Sequence, residues 1–463
     1  MIALTVAEIA QIIDAEVVGL DATEVITEYP EIDSRKITPG SFFVALPGER
    51  VDGNDYAKEA IANGARFAIT TYNLGIPSFV VTDAAQALAQ LATAVRVRME
   101  HCVFIGITGS HGKTTTKDLL GHILSVRGEC VVPSGSFNNE IGVPLTILHT
   151  IDSTQFCVVE MGARHTGDIT SLCAIAKPHI GIVLVVGSAH LGEFGSREAI
   201  ATAKSELINS LPEHGVAILG SYDPLTPHMG EGSSRKRITF GEKSSCNVRA
   251  ADLEFREGMA HFDLVSESGR APVALRLLGA HQVANALAAA ATALEVGISI
   301  ESVAAALSTA EPRSKWRMEL HDVDELLIIN DSYNANPESM QAALRTLVLL
   351  TQERGGSSWA ILGKMHELGE SEREEHLHIG RLASELGVDH LVAVGTELYL
   401  DGLELDPAAG DEMLTHYFLT QEEALQALDH IERGDVLLIK ASRAEHLDEL
   451  SEKLLAKWQG EQE

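Results

Sequence analysis

A glycine-rich turn between an apolar run and a helical pattern carries the clearest chemistry in the sequence. Residues 103–107 are typical of a buried strand, the turn follows at 109–112, and Lys113 opens an amphipathic helix. Glycines let successive backbone N–H groups face one anion, and the start of the helix adds a partial positive charge. Lys113 can reach the terminal phosphates of a nucleotide, and the Thr114 hydroxyl can ligate magnesium. The sequence therefore predicts a phosphate-binding loop.

One position departs from the general phosphate-loop pattern, which has a glycine five residues before Gly112. Ile107 stands there, and the nearest glycine is Gly106. An ordinary glycine turn before a helix is the alternative for this stretch. We favour the phosphate loop because Gly-Lys-Thr-Thr-Thr begins where the order of strand, turn and helix requires it.

Two polar residues follow predicted strands of the same sheet. Glu160 is the last residue of the apolar run 156–160, and His190 lies four residues past the run 180–186. Continuous apolar strands alternating with helices indicate a parallel sheet, and ligands of such sheets lie beyond the carboxyl ends of the strands. Either residue could simply belong to a turn. Because both fall at the edge that carries the phosphate loop, we expect both to ligate magnesium.

Lys204 is an unusual residue on the next predicted helix. It lies four residues from Ile200 and four from Ile208, on the apolar stripe of the helix 197–211. A buried ammonium group is costly unless it is paired or modified. The side chain could extend along the helix to the surface. We favour a functional lysine near the metal site, whose neutral amine could take up carbon dioxide as a carbamate and so provide oxygen ligands for a second magnesium ion.

Other polar clusters leave both a structural and a ligand-binding interpretation open. The loop 136–144 combines adjacent asparagines with glycine and proline, which suits hydrogen bonds either within the loop or to a ligand. His281 and Asn285 share one face at the start of a helix, where they could cap it or contact a nucleotide base. The turns 33–36 and 48–55 are rich in acidic and donor groups, and from the residues alone we favour solvated loops.

The pattern of apolar runs predicts an α/β protein with three domains. Residues 1–98 form a small α/β unit, in which Thr5 caps a helix that runs through Ile13. Residues 99–311 form the P-loop domain, a parallel sheet with a small β insertion over 221–278. Residues 312–463 again alternate strands and helices, as in a Rossmann-like domain. Its strands are followed by three polar loops, at 331–337, 363–369 and 440–443. Three such loops at one edge indicate half of a cleft facing the central domain.

Composition excludes some functions. The chain has 35 basic and 66 acidic residues, a net charge of −31, which argues against a nucleic-acid surface. We expect no membrane insertion, because no apolar run reaches the length of a membrane span, and the first residues do not resemble a signal peptide. Five dispersed cysteines without metal-ligand spacing favour reduced thiols and a cytoplasmic location.

Beyond these patterns, the sequence resembles the Mur ligases of peptidoglycan synthesis. The motifs that carry the resemblance occur in the family's order and span residues 30–445: TGSHGKTTTK, SFNNEIGVPLTIL, VVEMGARHTGDI, AHLGEFGS, AKSEL, GAHQVANALAAA, DSYNANPESM and GKMHELGE. DSYNANPESM with the ELGE loop is similar to the branch that adds D-alanyl-D-alanine to UDP-N-acetylmuramoyl-tripeptide. The segment DSRKITPGSFFVALPGERVDGNDY resembles the family's UDP-sugar-binding module.

The resemblance implies an ATP-dependent amide ligase that acts through an acyl phosphate, supplies the pentapeptide precursor of the cell wall, and so supports cell shape and division. It implies an ATP-phosphate site at Gly109, Ser110, His111, Gly112, Lys113, Thr114 and Thr115. It implies Thr114 and Glu160 as ligands of one magnesium ion, and His190 with carbamylated Lys204 as ligands of a second. Lys113, Glu160, His190 and Lys204 are then the catalytic residues.

The remaining site residues are also implied by the resemblance. Asn285, Arg317 and Asp331 would contact adenine, phosphate and ribose respectively. The substrates would be positioned by Ser34, Arg35, Asn138, Asn139, Asn334 and Asn336. We expect the protein to act as a monomer, with the UDP tripeptide and D-alanyl-D-alanine as its partners.

Three positions depart from the family's motifs, and two alternative functions remain. Lys364 stands where Asp is expected, Ala441 where Gly is usual, and Gln282 where Asn follows the histidine. The first two concern details of the dipeptide site. One alternative is a related ligase that adds another amino acid or acts on another acid. The other is a P-loop switch or motor NTPase, which would hydrolyse ATP without an acid or an amine.

Overall fold

The chain forms three α/β units, each built around its own sheet. In the computed structural model the described residues are 1–48, 51–133, 135–187, 191–404 and 413–460. The predicted metal ligand His190 lies outside these ranges.

The first unit is a five-stranded sheet with a small two-stranded ribbon. Helix α1 begins after Thr5, whose side chain accepts a hydrogen bond from the Glu8 amide in a capping box, as the sequence predicts. Strands β4, β5, β6 and β7 are parallel, β2 is antiparallel to β7, and β1 pairs with β3. The elements are β1 Leu4–Thr5, α1 Val6–Ile12, β2 Glu16–Val18, β3 Val25–Ile26, β4 Tyr29–Glu31, β5 Ser41–Val44, α2 Ala57–Ala62, β6 Ala68–Thr70, β7 Ser78–Val80 and α3 Ala84–Arg98.

The central unit holds a nine-stranded sheet in the order β16-β15-β14-β13-β12-β11-β8-β10-β9. The five strands β9, β10, β8, β11 and β12 are parallel, and their apolar side chains are buried between helices on both faces, as expected of such sheets. The elements are β8 Val103–Thr108, α4 Lys113–Leu124, β9 Cys130–Val131, α5 Gly142–Ile147, β10 Phe156–Glu160, α6 Asp168–Ala176, β11 Ile180–Val183, α7 Leu191–Phe194, α8 Arg197–Asn209, β12 Val216–Gly220, β13 Lys236–Gly241, β14 Val248–Arg256, β15 Met259–Ser266, β16 Gly269–Leu278, α9 Gln282–Glu295 and α10 Ile300–Thr309.

The predicted β insertion over 221–278 continues the main sheet. Strand β13 pairs in parallel with β12, β14 continues beside β13, and β15 and β16 then turn antiparallel. The alternating pattern of these strands follows from this position, because one face packs on helices α9 and α10 while the other faces solvent.

The third unit is a six-stranded sheet in the order β17-β18-β22-β19-β20-β21, parallel except at its β17 edge. The last helix of this unit begins at Leu447, after a short 3₁₀ turn and the left-handed His446, which has a φ of 55°. The elements are β17 Glu319–Val323, β18 Leu326–Asn330, α11 Pro337–Arg354, β19 Ser358–Leu362, α12 Glu372–Glu385, β20 His390–Val394, α13 Leu398–Glu404, β21 Leu414–Phe418, α14 Gln421–Ala427, β22 Val436–Lys440 and α15 Leu447–Gly460.

The first two units share one hydrophobic core, whereas the third has cores of its own. Helix α3 packs on α5 and α6, so that Leu88 and Leu91 of the first unit join Phe104 and Val159 of the central sheet in a single buried cluster. The clusters on the two faces of the third sheet are formed almost entirely by residues of that unit. The first and central units therefore form one body, which we call the platform, and the third unit packs against it as a separate body.

A buried arginine ties helix α3 to the central unit. Arg96 donates hydrogen bonds to the carbonyl oxygens of Ala176 (2.8 Å) and Lys177 (2.7 Å), and its guanidinium lies 4.2 Å from the centre of the Phe104 ring. Both carbonyls belong to the C-terminal end of α6, where a cation is favoured by the helix dipole. Burial lowers the pKa of Arg96. This contact reinforces the shared core.

Among the helices of the described ranges, none has the length and hydrophobicity needed to cross a membrane.

Candidate active site

The phosphate-loop prediction falls on a strand, turn and helix in that order. Strand β8 ends at Thr108 and helix α4 begins at Lys113. Gly112 has a left-handed φ of 82°, and a Cβ added there would collide with the Asn285 side chain. A glycine is therefore required at this point of the turn. The Lys113 ammonium folds back onto the Gly109 carbonyl at 2.7 Å, and burial lowers its pKa, with Arg317 acting in the same direction and Glu160 opposing.

Glu160 and Thr114 meet at the carboxyl ends of two neighbouring strands. Strand β10 pairs with β8 so that Glu160 lies opposite Ile107, and the Thr114 hydroxyl donates to the Glu160 carboxylate at 3.0 Å. The other carboxylate oxygen accepts a hydrogen bond from the Asn138 amide at 3.0 Å. Glu160 is 1% exposed, and both of these donors are neutral. A buried carboxylate beside a hydroxyl is the kind of oxygen donor set that suits magnesium.

The site does not resemble a preformed metal cage. In the part of the chain that the structure describes, no group of three or more His, Cys, Asp or Glu side chains is arranged to hold a metal ion. Magnesium commonly binds through one or two protein oxygens and completes its shell with water and substrate phosphates. Thr114 and Glu160 fit that mode of binding.

Lys204 is buried, as its position on the apolar stripe predicts. It is 4% exposed on helix α8, and Ile200 and Ile208 on the same face are fully buried. Within the described ranges it has neither a hydrogen bond nor an ion pair. Burial, followed by the nearby charge of Lys113, lowers the pKa of Lys204 from 10.5 to about 7. The amine is therefore largely uncharged in mildly alkaline solution, which is the form that reacts with carbon dioxide.

The third unit places a second set of polar residues opposite the phosphate loop. The Asp331 carboxylate binds the Lys440 ammonium at 2.5 Å, and Lys440 also donates to the Asn334 carbonyl at 2.8 Å. Arg317 donates to the Ser136 hydroxyl at 3.0 Å and lies over the ring of Tyr333, 4.0 Å from its centre. Lys440 is 1% exposed, so its charge is neutralised almost entirely by the Asp331 loop.

Asn285 lies against the phosphate loop, and its orientation is fixed by neighbours. Its amide nitrogen donates to the Gln282 side chain at 2.8 Å, and its oxygen accepts from the Thr116 hydroxyl at 3.3 Å. Gln282, a departure from the family motif, therefore holds Asn285 in place. His281 does not cap the helix by a side-chain hydrogen bond. Burial lowers the pKa of His281 to about 4, so this imidazole is neutral at physiological pH.

Most of the predicted site residues line one cleft, of about 1010 Å³, between the central and third units. Those that line it are Ser110, His111, Gly112, Lys113, Thr114, Thr115, Asn138, Asn139, Glu160, Asn285, Arg317, Asp331, Asn334 and Asn336. Two of the asparagines have a structural role, because Asn139 accepts from the Gly142 amide at 3.0 Å and Asn336 caps helix α11. Contact of these loops with a ligand stays a prediction.

Some predicted residues lie elsewhere. Ser34 and Arg35 belong to the first unit and do not line the cleft. Arg35 is exposed and paired with Asp33, whose pKa it lowers to about 2. Ser34 is buried, and its carbonyl accepts a hydrogen bond from Asn63 at 3.0 Å. This turn is ordered by its own contacts, as expected of a structured loop.

Two departures from the family motifs have simple structural consequences. Lys364 pairs with Glu372 at 2.9 Å and does not line the cleft. Ala441 is fully buried, and its methyl group lies over Gly363, where a Cβ would approach it within 2.8 Å. The sequence pattern places Ser136 and Lys440 in polar loops at the cleft but assigns no individual role to either residue. The sequence feature that could have indicated a role for Lys440 is its position as a charged residue directly after an apolar run.

Comparison with known proteins identifies the family. A model of the Mur ligase middle domain matches residues 107–293, a model of the Mur ligase glutamate ligase domain matches 316–443, and a model of the Mur ligase family catalytic domain matches 31–99. The three units and the phosphate loop define a three-domain α/β enzyme of the P-loop class. The chain belongs to the Mur ligase family.

Relatives similar over the full length support this assignment. The chain is 40% identical to UDP-N-acetylmuramoyl-tripeptide--D-alanyl-D-alanine ligase of Mycobacterium tuberculosis H37Rv, with 98% of each chain covered. It is 32% identical to the Escherichia coli K12 ligase of the same name, with 97% of this chain and 98% of the relative covered.

Solved structures give the same result. MurF from Acinetobacter baumannii matches with a TM-score of 0.86 and 35% identity, covering 98% of this chain and 99% of the other. MurF ligase from Thermotoga maritima, solved in complex with ADP, matches with a TM-score of 0.77 and 28% identity, covering 94% and 99%. The fold class and family predicted from the sequence are thus confirmed. The domain boundaries at 98/99 and 311/312 and the individual residue roles stay predictions.

The buried Lys204 amine predicts a pH dependence of stability. Between its folded pKa of about 7 and its ordinary value of 10.5, the folded protein holds this amine neutral while the unfolded chain protonates it. Unfolding therefore takes up a proton, and the free energy of unfolding rises with pH across that window. Relative to Lys204→Met, the wild type should gain up to about 1.4 kcal/mol per pH unit there.

The measurement is urea unfolding of both proteins in carbon dioxide-free buffers across that window. Parallel pH profiles for the wild type and Lys204→Met would contradict the assignment of a neutral, buried Lys204.

Proposed function

We propose that this chain is an ATP-dependent ligase that joins D-alanyl-D-alanine to UDP-N-acetylmuramoyl-tripeptide, forming the pentapeptide precursor of peptidoglycan. The observation that carries the proposal is the cleft in which a phosphate loop faces the polar loops of a separate domain. The substrates are those in the names of relatives that match this chain end to end. A P-loop switch or motor is disfavoured, because the similarity extends across all three units.

The proposed reaction activates an acid before an amide forms. The terminal carboxylate of the tripeptide attacks the γ-phosphorus of ATP, giving an acyl phosphate and ADP. The dipeptide amine then attacks the activated carbonyl, and the tetrahedral intermediate collapses with loss of inorganic phosphate. A free carboxylate is a poor electrophile at neutral pH, so the phosphoryl transfer supplies the driving force.

The phosphate-loop residues bind and orient the nucleotide. Lys113 is within reach of the terminal phosphates once its ammonium leaves the Gly109 carbonyl, and its charge then stabilises the transferring group. Asn285 lies beside Gly112, and we assign it to adenine. Arg317 and Asp331 approach from the third unit, and we assign them to phosphate and ribose.

Four residues are the proposed ligands of magnesium. Thr114 and Glu160 are the proposed ligands of one ion, and His190 with a carbamate on Lys204 are those of a second. When bound, magnesium neutralises negative charge on the phosphates. The Thr114 hydroxyl and a Glu160 carboxylate oxygen lie 3.0 Å apart, which is close enough for one ion to contact both.

The remaining predicted residues would bind the two other substrates. Asn138 and Asn139 extend from the central unit into the cleft, while Asn334 and Asn336 extend from the third unit. Ser34 and Arg35 of the first unit would bind the UDP moiety, far along an extended substrate. Closure of the third unit over the other two would exclude water, which otherwise hydrolyses an acyl phosphate.

The cellular role follows from the reaction. The enzyme would act in the cytoplasm as a monomer, with ATP and magnesium, in cell-wall synthesis and hence in cell shape and division. The functional domains are proposed as 1–98 for the UDP-sugar, 99–311 for ATP and 312–463 for ligation.

The function is tested by phosphate release with ATP and magnesium alone, with each substrate, and with both. We expect rapid release only when the UDP tripeptide and D-alanyl-D-alanine are both present, and slower release with other dipeptides. Lys113→Ala should lower kcat roughly a hundredfold to a thousandfold, because a transition-state donor is lost. The exposed Lys243→Ala serves as the control and should match the wild type.

Equal phosphate release with and without the two substrates would indicate a nucleotide hydrolase instead. A preference for a free amino acid over the dipeptide would indicate a different ligase of the family.

The carbamate on Lys204 has a separate test. In ¹³C-labelled bicarbonate, the wild type should give a carbamate carbon signal that Lys204→Met lacks. Lys204→Ala should be slow, and short carboxylates such as acetate should restore part of its activity, because they can occupy the space of the carbamate. A missing signal together with no recovery would rule out the modification.

A further inference from the structure

A directional chain of hydrogen bonds crosses the cleft from the third unit to the candidate metal ligands. Arg317 donates to the Ser136 hydroxyl at 3.0 Å, Ser136 lies 2.9 Å from the Thr114 hydroxyl, and Thr114 donates to Glu160 at 3.0 Å. Thr114 has one hydroxyl proton, and it donates that proton to Glu160. Thr114 must therefore accept in its hydrogen bond with Ser136, so Ser136 is the donor. Ser136 in turn accepts from Arg317, so that all three bonds run in one direction.

The segment that carries Arg317 is fixed to the third unit. The Trp316 amide donates to Glu319 at 2.9 Å, and the Trp316 carbonyl accepts from the Tyr333 amide at 3.0 Å. The Met318 amide donates to Asp331 at 3.1 Å. Trp316 and Met318 have left-handed φ angles of 59° and 50°. Non-glycine residues keep such conformations only where their surroundings impose them.

The buried ion pair between Lys440 and Asp331 also holds the segment that carries Arg317. Lys440 holds the Asp331 carboxylate at 2.5 Å, and the other oxygen of that carboxylate is the acceptor for the Met318 amide. Arg317 itself lies on the ring of Tyr333. The residues on both sides of Arg317 are therefore held by the third unit, while Ser314, three residues earlier, donates to Asp118 of helix α4 at 2.6 Å.

Ser136, in contrast, belongs to the central unit. It lies in the loop between strand β9 and helix α5, next to Asn138, whose carbonyl accepts from the Gly162 amide at 2.8 Å. The hydrogen bond between Arg317 and Ser136 therefore exists only when the third unit is closed over the central one. Other contacts also cross the cleft. Arg164 pairs with Glu367 at 3.4 Å, but both side chains are exposed, and this pair is not part of the hydrogen-bond series that ends at Glu160.

We propose that Ser136 is a positioning residue that couples closure of the third unit to the orientation of Thr114 and Glu160. On closure, Arg317 engages the Ser136 oxygen and directs the Ser136 proton to Thr114. That bond occupies one lone pair of Thr114 and leaves the other for a cation, while the Thr114 proton stays on Glu160. In the open protein the Ser136 hydroxyl rotates freely. This inference rests on the proposed roles of Thr114 and Glu160 in binding magnesium and ATP.

Three variants test the coupling. Ser136→Ala removes the hydroxyl, and Ser136→Thr keeps it. Ser125→Ala is a matched deletion at the far end of helix α4, where the hydroxyl donates to the His122 carbonyl. Small-angle X-ray scattering of the nucleotide-free proteins reports closure without any turnover. A hydrogen bond to a charged group should shift the ratio of open to closed molecules roughly tenfold. We expect a larger radius of gyration for Ser136→Ala, and wild-type values for the other two variants.

Kinetics supply the second readout. Ser136→Ala should lower kcat roughly tenfold, because a smaller fraction of the enzyme is in the closed arrangement, while the KM for ATP stays within about twofold, because the phosphate loop itself is unchanged. Ser136→Thr should recover most of kcat. In scattering, Arg317→Met should open the protein as much as Ser136→Ala does, and the double variant should open it no further.

The coupling is overturned if Ser136→Ala scatters like the wild type, if Ser136→Thr is as slow as Ser136→Ala, or if the two substitutions add in the double variant. The scattering experiment needs neither ATP nor acceptor, so it stands even if the ligase reaction is not observed. An inactive wild type that still shows the predicted scattering shift would refute the proposed function alone.

Discussion

The register between two parallel strands is the constraint on which the candidate active site depends. Strand β10 lies beside β8 with Glu160 opposite Ile107, so the carboxylate emerges at the edge where the chain turns into the phosphate loop. A shift of one residue would turn Glu160 to the other face of the sheet. With the observed register, the Thr114 hydroxyl meets the carboxylate at 3.0 Å, and the loop and the carboxylate form one binding surface.

The cleft that contains this surface lies between two bodies of the protein. The first and central units share a core and the Arg96 contact, so they form a stable platform. The third unit has its own cores and delivers Arg317 and the Asp331 loop from the other side of the cleft. This division suits a reaction whose intermediate must be shielded from water, because one body can close after the substrates bind. Since the chain as a whole carries a charge of −31, its overall field does not attract anionic substrates, and local groups must hold them.

Local pattern was sufficient for the parts of the site that lie within one stretch of sequence. The strand, turn and helix of the phosphate loop, the Thr5 cap and the inward position of Lys204 all follow from periodicity and turn chemistry. The strands β13 to β16 were predicted as an insertion, because alternation within a strand does not indicate which strand it pairs with. Contacts between residues far apart in the sequence could not be predicted for the same reason. Ser136 and Arg317 are separated by 181 residues, and Lys440 and Asp331 by 109.

The central claim is that an acid is phosphorylated on this surface before the amide forms. The most direct test follows the oxygen atoms of that acid. The UDP tripeptide is prepared with ¹⁸O in its terminal carboxylate and incubated with the enzyme, ATP, magnesium and D-alanyl-D-alanine, and the released phosphate is analysed by mass. We predict that each phosphate carries one oxygen from the carboxylate, because the acyl phosphate bond breaks between carbon and oxygen. Phosphate that is released without the label would contradict an acyl phosphate and with it the account of the site.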